Sequence, residues 1–160
     1  MTKITYVHTP TFYILNFTLM STLLSSYPFL IPLLVGLLAE VLKIVSEGIE
    51  QGKWRDGLFR PGGMPSSHSA FVMSLLIVVG VKSGLDSSIF AIAFTLACLT
   101  WYDAVSSRHA IGEQAKILNR LQKWTRLPER LGHSLLEVII GAMFGGLMTA
   151  VFLLLGPALA

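Results

Sequence analysis

Four long apolar runs, separated by short polar stretches, set the fold expectation for this chain. They cover residues 28–46, about 66–81, 87–104 and 133–155. Runs of this length suit helices that cross a bilayer, since about 20 helical residues span a hydrocarbon core of about 30 Å. The breaks carry turn chemistry. Lys82-Ser-Gly-Leu-Asp86 reads as a tight turn, and Ser87 is placed to cap the third run. An earlier stretch, Phe12 to Leu24, is interrupted by Asn16 and Thr18 and followed by two serines. It is short for a span. With only Lys3 ahead of it and no small-residue cleavage site, it does not read as a cleaved signal, so an interfacial or re-entrant segment is expected.

Within 106–124 the period changes meaning. Ala110, Ile111, Ala115, Leu118 and Leu121 recur at helical spacing, while Arg108, Lys116, Arg120 and Lys123 fall mostly elsewhere. This predicts a basic amphipathic helix at the membrane surface, ended by Pro128. Glu40 and Lys43 lie inside the first run and either snorkel or face the bundle interior. Gly141-x-x-x-Gly145 in the last run permits close helix packing. The expected fold is all-α: an integral membrane helical bundle forming one membrane-embedded domain over residues 1–160. It has about four transmembrane helices, the N-terminal interfacial or re-entrant segment and the amphipathic surface helix.

Composition agrees. Of 160 residues, 53% are hydrophobic and 13% charged, against about 25% charged in soluble domains. Net charge is only +3, so its placement matters more than its sum. Four spans put the 48–63 and 104–132 stretches on one side. That side holds Lys53, Arg55, Arg60, Arg108, Lys116, Arg120, Lys123, Arg126 and Arg130, nine of the 12 basic residues. The positive-inside rule places both stretches in the cytoplasm, in a bacterial inner membrane or its equivalent, with the termini outside; if the N-terminal segment also spans, the N-terminus moves inside and the two basic stretches stay together. A single cysteine, Cys98, excludes a disulfide within the chain. No zinc spacing, nucleotide-binding glycine fingerprint or serine nucleophile elbow occurs. No metal, other cofactor or nucleic-acid partner is expected, and the oligomeric state is left open.

The chemistry concentrates in Lys53–His68, KWRDGLFRPGGMPSSH. Lys and Arg match phosphate oxygens as point charge and planar fork. Gly62 and Gly63 permit close backbone approach. Ser66 and Ser67 sit where a helix can open and present N–H groups to an anion. His68, one turn in, is a candidate proton donor. The plain alternative is a basic loop that holds lipid headgroups loosely. A second piece on the same side brings Asp103, Arg108, His133 and Glu137. The last two are spaced i, i+4, so the carboxylate can hold one imidazole nitrogen and leave the other to attack. Alone, His133 would read as a capping histidine at an interface; with His68, the cations and Glu137 on one side, it reads as part of a site.

These residues resemble a family. Lys53-x6-Arg60-Pro61 looks like the first motif of the type 2 phosphatidic acid phosphatase superfamily, and Pro65-Ser66-Ser67-His68 is similar to its second, P-S-G-H. His133-x3-Glu137 resembles the end of its third, S-R-x5-H-x3-D. The strings GGMPSSHSA, YDA with Arg108 and Gly112-x-Gln114-Ala115, and GHSLLEV look most like the divergent branch, described as acid phosphatase/vanadium-dependent haloperoxidase related. The resemblance implies a metal-independent phosphomonoesterase or pyrophosphatase acting through a phosphohistidine. It makes His133 the nucleophile, Glu137 its orienter and His68 the general acid. Lys53, Arg60, Ser66 and Ser67 would bind phosphate. Three positions depart from the pattern: Ser67 stands for glycine, Glu137 for aspartate, and Leu127 for the third-motif arginine. Arg108, beside Asp103, is the preferred replacement over Arg126. The family's usual six-helix bundle is shortened.

The expected function is a membrane lipid phosphatase that removes a terminal phosphate from phosphatidic acid, phosphatidylglycerol phosphate or a polyprenyl (di)phosphate, among membrane lipids. The competing readings are a non-enzymatic lipid-phosphate binder or transporter with a degenerate site and, last, a vanadate haloperoxidase. His133→Ala separates the first two, since a binder survives it.

Overall fold

The computed structural model describes residues 22–51, 63–129 and 132–155; the expectations for residues 1–21 lie outside them. A helical turn over 22–26 leads into α1, Leu30–Gln51. Then follow α2, Ser67–Ser83; α3, Ser88–Tyr102; a π-helical turn, Asp103–Ser107; α4, Arg108–Leu121; and α5, Leu135–Leu155. Among the described residues there is no strand.

Caps fix where the central helices start. Ser66 is the N-cap of α2, and its Oγ accepts the Ser69 N–H at 3.4 Å. Ser87 caps α3 in the same way through the Phe90 N–H at 3.1 Å. Between them the expected tight turn is present, with Gly84 at φ +83°.

The core is a pack of α1, α2 and α5, with α3 laid against α2. Ile31, Val35 and Ala39 repeat every four residues along α1 and are buried against Ala70 and Val78 of α2. From α5, Phe144, Met148, Phe152 and Leu153 close the cluster. Small residues let α5 approach α2. A Cβ at Gly141 would lie 2.5 Å from the Ser66 carbonyl oxygen, and one at Gly145 would run into the Ala70 backbone. This is the contact expected of Gly141-x-x-x-Gly145. One polar contact lies deep within it, the Thr149 hydroxyl 2.6 Å from Ser74 Oγ.

Outward positions are apolar and unpartnered within the chain. Ile92, Leu99, Met143 and Leu147 are each more than half exposed. A soluble monomer rarely shows so continuous an apolar surface; a bilayer covers it. Among the described residues, Ser88–Leu121 and Leu135–Leu154 are long and apolar enough to cross a membrane. α2 is apolar but has 17 residues, and α1 carries Glu40, Lys43, Glu47 and Glu50 along its C-terminal half.

Three boundaries differ from the sequence expectation. The third run, expected over 87–104, does not end there: α3 continues through the π turn into α4. The polar stretch Asp-Ala-Val-Ser-Ser widens the helix instead of ending it, because the Arg108 N–H reaches back to the Asp103 carbonyl. The amphipathic helix ends at Leu121, well before Pro128, where Gln122 turns extended. Asn119 then holds the returning chain, exchanging hydrogen bonds of 2.9 Å with the Leu127 N–H and carbonyl. Finally, His133 precedes α5 and is not part of its first turn.

Candidate functional site

Four stretches meet at one end of the bundle: the C-terminal part of α1, the start of α2, the π turn between α3 and α4, and the start of α5. Ser46 Oγ of α1 lies 3.2 Å from the Met64 carbonyl, just ahead of α2. The His133 N–H donates to the Ala104 carbonyl of the π turn at 3.0 Å. Two glycines with positive φ serve these junctions, Gly63 at +92° and Gly132 at +90°. At Gly132 a side chain is excluded on space as well, since its Cβ would lie 2.7 Å from the His109 nitrogen.

His133 is held from two sides. Its backbone docks on Ala104, and its ring Nδ1 lies 3.2 Å from Glu137 Oε2, with both side chains largely buried. An ionised carboxylate only accepts, so the pairing puts the proton on Nδ1 and leaves the lone pair on Nε2. Glu137 is fixed in turn by reciprocal bonds at the helix start. Its Oε2 accepts the Ser134 N–H at 2.9 Å, and its own N–H donates to Ser134 Oγ at 3.3 Å. This is a capping box, Ser134-Leu-Leu-Glu137. The i, i+4 spacing therefore works although His133 lies before the helix, because Glu137 reaches back from the first turn. Ser134 was not singled out from sequence, yet the S-x-x-E signature was there to find.

Arg108 and Asp103 form an ion pair, Nε to Oδ2 at 2.8 Å, with both side chains about half exposed. The π turn makes the pairing possible, since it brings residues five apart onto one face. Arg126, by contrast, is exposed on the 122–129 return and lines a surface hollow with Asn119, Gln122 and Glu129. Ser66 is fully buried at the α2 N-cap, and its Oγ also accepts from the Ser69 hydroxyl at 2.9 Å. Ser67 is half-buried and His68 exposed in the same first turn. Lys53 and Arg60 lie outside the described residues.

The structure adds Glu40 and Lys43. They form a buried ion pair on α1, 2.9 Å apart. Both act electrostatically on His68, together with Arg108 and His133. Two opposite charges at i, i+3 inside an apolar run were the sequence signal, the kind of pair that marks a candidate site. The described site thus gathers two histidines, three acids and two cations at one end of the bundle. Among the described residues no group of three or more His, Cys, Asp or Glu stands close enough to hold a metal ion.

Burial pushes the His133 imidazole below its ordinary value, opposed by the Glu137 hydrogen bond and charge, with Lys43 and Arg108 adding to the downward push. A neutral imidazole at His133 therefore persists to more acid pH than the ordinary value of about 6.5 allows. The acid limb of kcat/KM that reports this group should lie below that value. Glu137→Gln removes the upward contribution, so the limb should move further to acid. A phosphate monoester offered as substrate titrates in the same range, with a second pKa of about 6, so the comparison is between variant and wild type on one ester. A limb displaced toward alkaline pH in Glu137→Gln contradicts the pairing.

Residues 24–148 match the family described as "Divergent PAP2 family". An uncharacterized membrane protein of Bacillus subtilis (strain 168), YuiD, is 36% identical over 150 residues, covering 81% of this chain and 95% of the relative. No solved structure matches the chain.

Proposed function

The chain belongs to the Divergent PAP2 family, and from that membership we propose that it is a membrane-embedded lipid phosphatase, one domain with about four spans. The observation that carries this reading is the buried His133–Glu137 pair, which leaves Nε2 as a nucleophile beside His68. The reaction proceeds in two steps. His133 Nε2 attacks phosphorus, and the ester oxygen leaves with a proton from His68. His68, now neutral, takes a proton from water, the water oxygen attacks phosphorus, and the P–N bond breaks to release phosphate. Charge on the phosphoryl oxygens is met by Arg108, Lys53 and Arg60, and by N–H groups at the start of α2, where Ser66 and Ser67 sit. Asp103 holds Arg108 in place. Substrates are lipids with a terminal phosphate: phosphatidic acid, phosphatidylglycerol phosphate or a polyprenyl (di)phosphate.

Phosphate release from a panel of these lipids by purified protein in detergent, with chelator present, tests the reading. Release that saturates with one lipid supports it. Saturable binding of the same lipids without any release replaces it with the binder.

The basic loops are placed in the cytoplasm on the strength of their cations. With Cys98 replaced by serine, a cysteine at the exposed position Lys123 should resist an impermeant thiol reagent in intact cells and react after permeabilisation. Labelling in intact cells reverses the orientation.

A further inference from the structure

One cavity of the bundle is continuous with the candidate site. It has a volume of about 500 Å³ and lies between α1 and α2. Leu33, Gly36, Leu37, Val41, Ile44 and Phe71 form its apolar length. Glu40, Ser67 and His68 line it as well. The two helices are antiparallel, with Ser46 beside Met64, so the polar residues stand at the end near the phosphate site. From Glu40 the apolar wall runs along α1 to Leu33, about 10 Å away at 1.5 Å per helical residue. Its rim is open to the outside of the bundle, since Leu33, Leu37 and Val41 are 50%, 62% and 47% exposed. Gly36 sets its depth: a Cβ there would lie 3.3 Å from the Phe71 side chain, so Phe71 settles against bare backbone.

A second apolar cavity, about 440 Å³, is lined by Leu76, Ile77, Gly80, Val81, Leu85 and Phe90. It lies toward the other end of α2 and has no charged or hydroxyl side chain on its wall. A cavity that is apolar along its length and polar only at the reaction centre has the form of a ligand site. The second one has the form of a packing gap.

We propose that the α1–α2 groove holds a single hydrocarbon chain of the substrate lipid, with the phosphate at His68. This rests on the lipid phosphatase reading and narrows it to lipid phosphates presented by one chain. The groove's size lies toward the lower end of the roughly 300–1,000 Å³ of ligand sites, which leaves a second acyl chain no place in it. Hydrocarbon laid along the groove orients the phosphate ester toward His68 and His133, so chain contacts assist positioning as well as affinity.

Leu33→Trp and Leu37→Trp fill the groove on the side away from the phosphate site, and Leu85→Trp fills the second cavity as a control. The full-length protein is assayed on dodecyl phosphate, diacyl phosphatidic acid and water-soluble para-nitrophenyl phosphate. Both groove variants should raise KM for dodecyl phosphate by about tenfold or more, equivalent to ~1.4 kcal/mol of binding. Their turnover of para-nitrophenyl phosphate should be unchanged, Leu85→Trp should match wild type, and wild type should prefer the single-chain lipid. Equal losses on the lipid and the soluble ester, an equal effect of Leu85→Trp, or a preference for the diacyl lipid would overturn the proposal.

If wild type releases phosphate from none of the three, the phosphatase reading fails instead. The groove is then decided by photolabelling with a dodecyl phosphate bearing a terminal diazirine. Label on the α1 peptide that is lost in Leu37→Trp supports the groove. Label on α3, or spread evenly, overturns it.

Discussion

His133→Ala should abolish phosphate release, with a loss on the order of 10⁴-fold or more, because removal of a nucleophile leaves only binding and electrostatic stabilisation. The substitution removes a largely buried ring whose Nδ1 is engaged by Glu137. The lost packing is modest, so the variant should elute from size exclusion as wild type does. Glu137→Gln should be milder, on the order of a hundredfold or more, since it disturbs tautomer and imidazolium stabilisation while leaving the nucleophile in place. Equilibrium binding of lipid phosphate should stay near wild type in Glu137→Gln, because the phosphate contacts are made elsewhere. Near-normal turnover in His133→Ala would remove the basis for the mechanism.

The second large effect is expected at Arg108. Removing a cation that stabilises transition-state charge costs on the order of a hundredfold or more, whereas removing a solvated surface cation costs little. Asp103 engages Arg108 through Nε, which leaves the two terminal nitrogens of the fork for phosphoryl oxygens. Its charge also acts on both His68 and His133. Arg126 lies on the return after α4, in a hollow with Gln122 and Glu129. Rates of Arg108→Ala and Arg126→Ala on one lipid phosphate should differ accordingly. A larger loss at Arg126 would transfer the third-motif role to it.

Much of the bundle was legible in the sequence because its signals are local. Apolar runs, the serines at 66 and 87 and the glycine turn at 84 each act within one helix turn of themselves, and the caps form where the residues suggest. The His133–Glu137 pairing and the Asp103–Arg108 pairing were readable from spacing, since each joins residues four or five apart. The continuous passage from α3 to α4 was not. A polar Asp-Ala-Val-Ser-Ser reads as a break, whereas the helix widens there and Gly132 and His133, distant in sequence, dock on Ala104. The contribution of Glu40 and Lys43 was equally hidden. Their charges were visible in the first run, but which way they faced depended on how α1 meets α2. That contact is set by Gly36 against Phe71 and by Ser46 against Met64, residues far apart in sequence.

The proposed mechanism stands or falls on a covalent phosphoryl group at His133. Lipid phosphate labelled in the phosphoryl group is mixed with the protein, quenched within the first turnover without acid, digested and mapped. The label should appear on the peptide containing His133, in amounts that rise in a variant slowed at His68 when the leaving group is good. Label on His68, or turnover with no labelled peptide at any quench time, would contradict it.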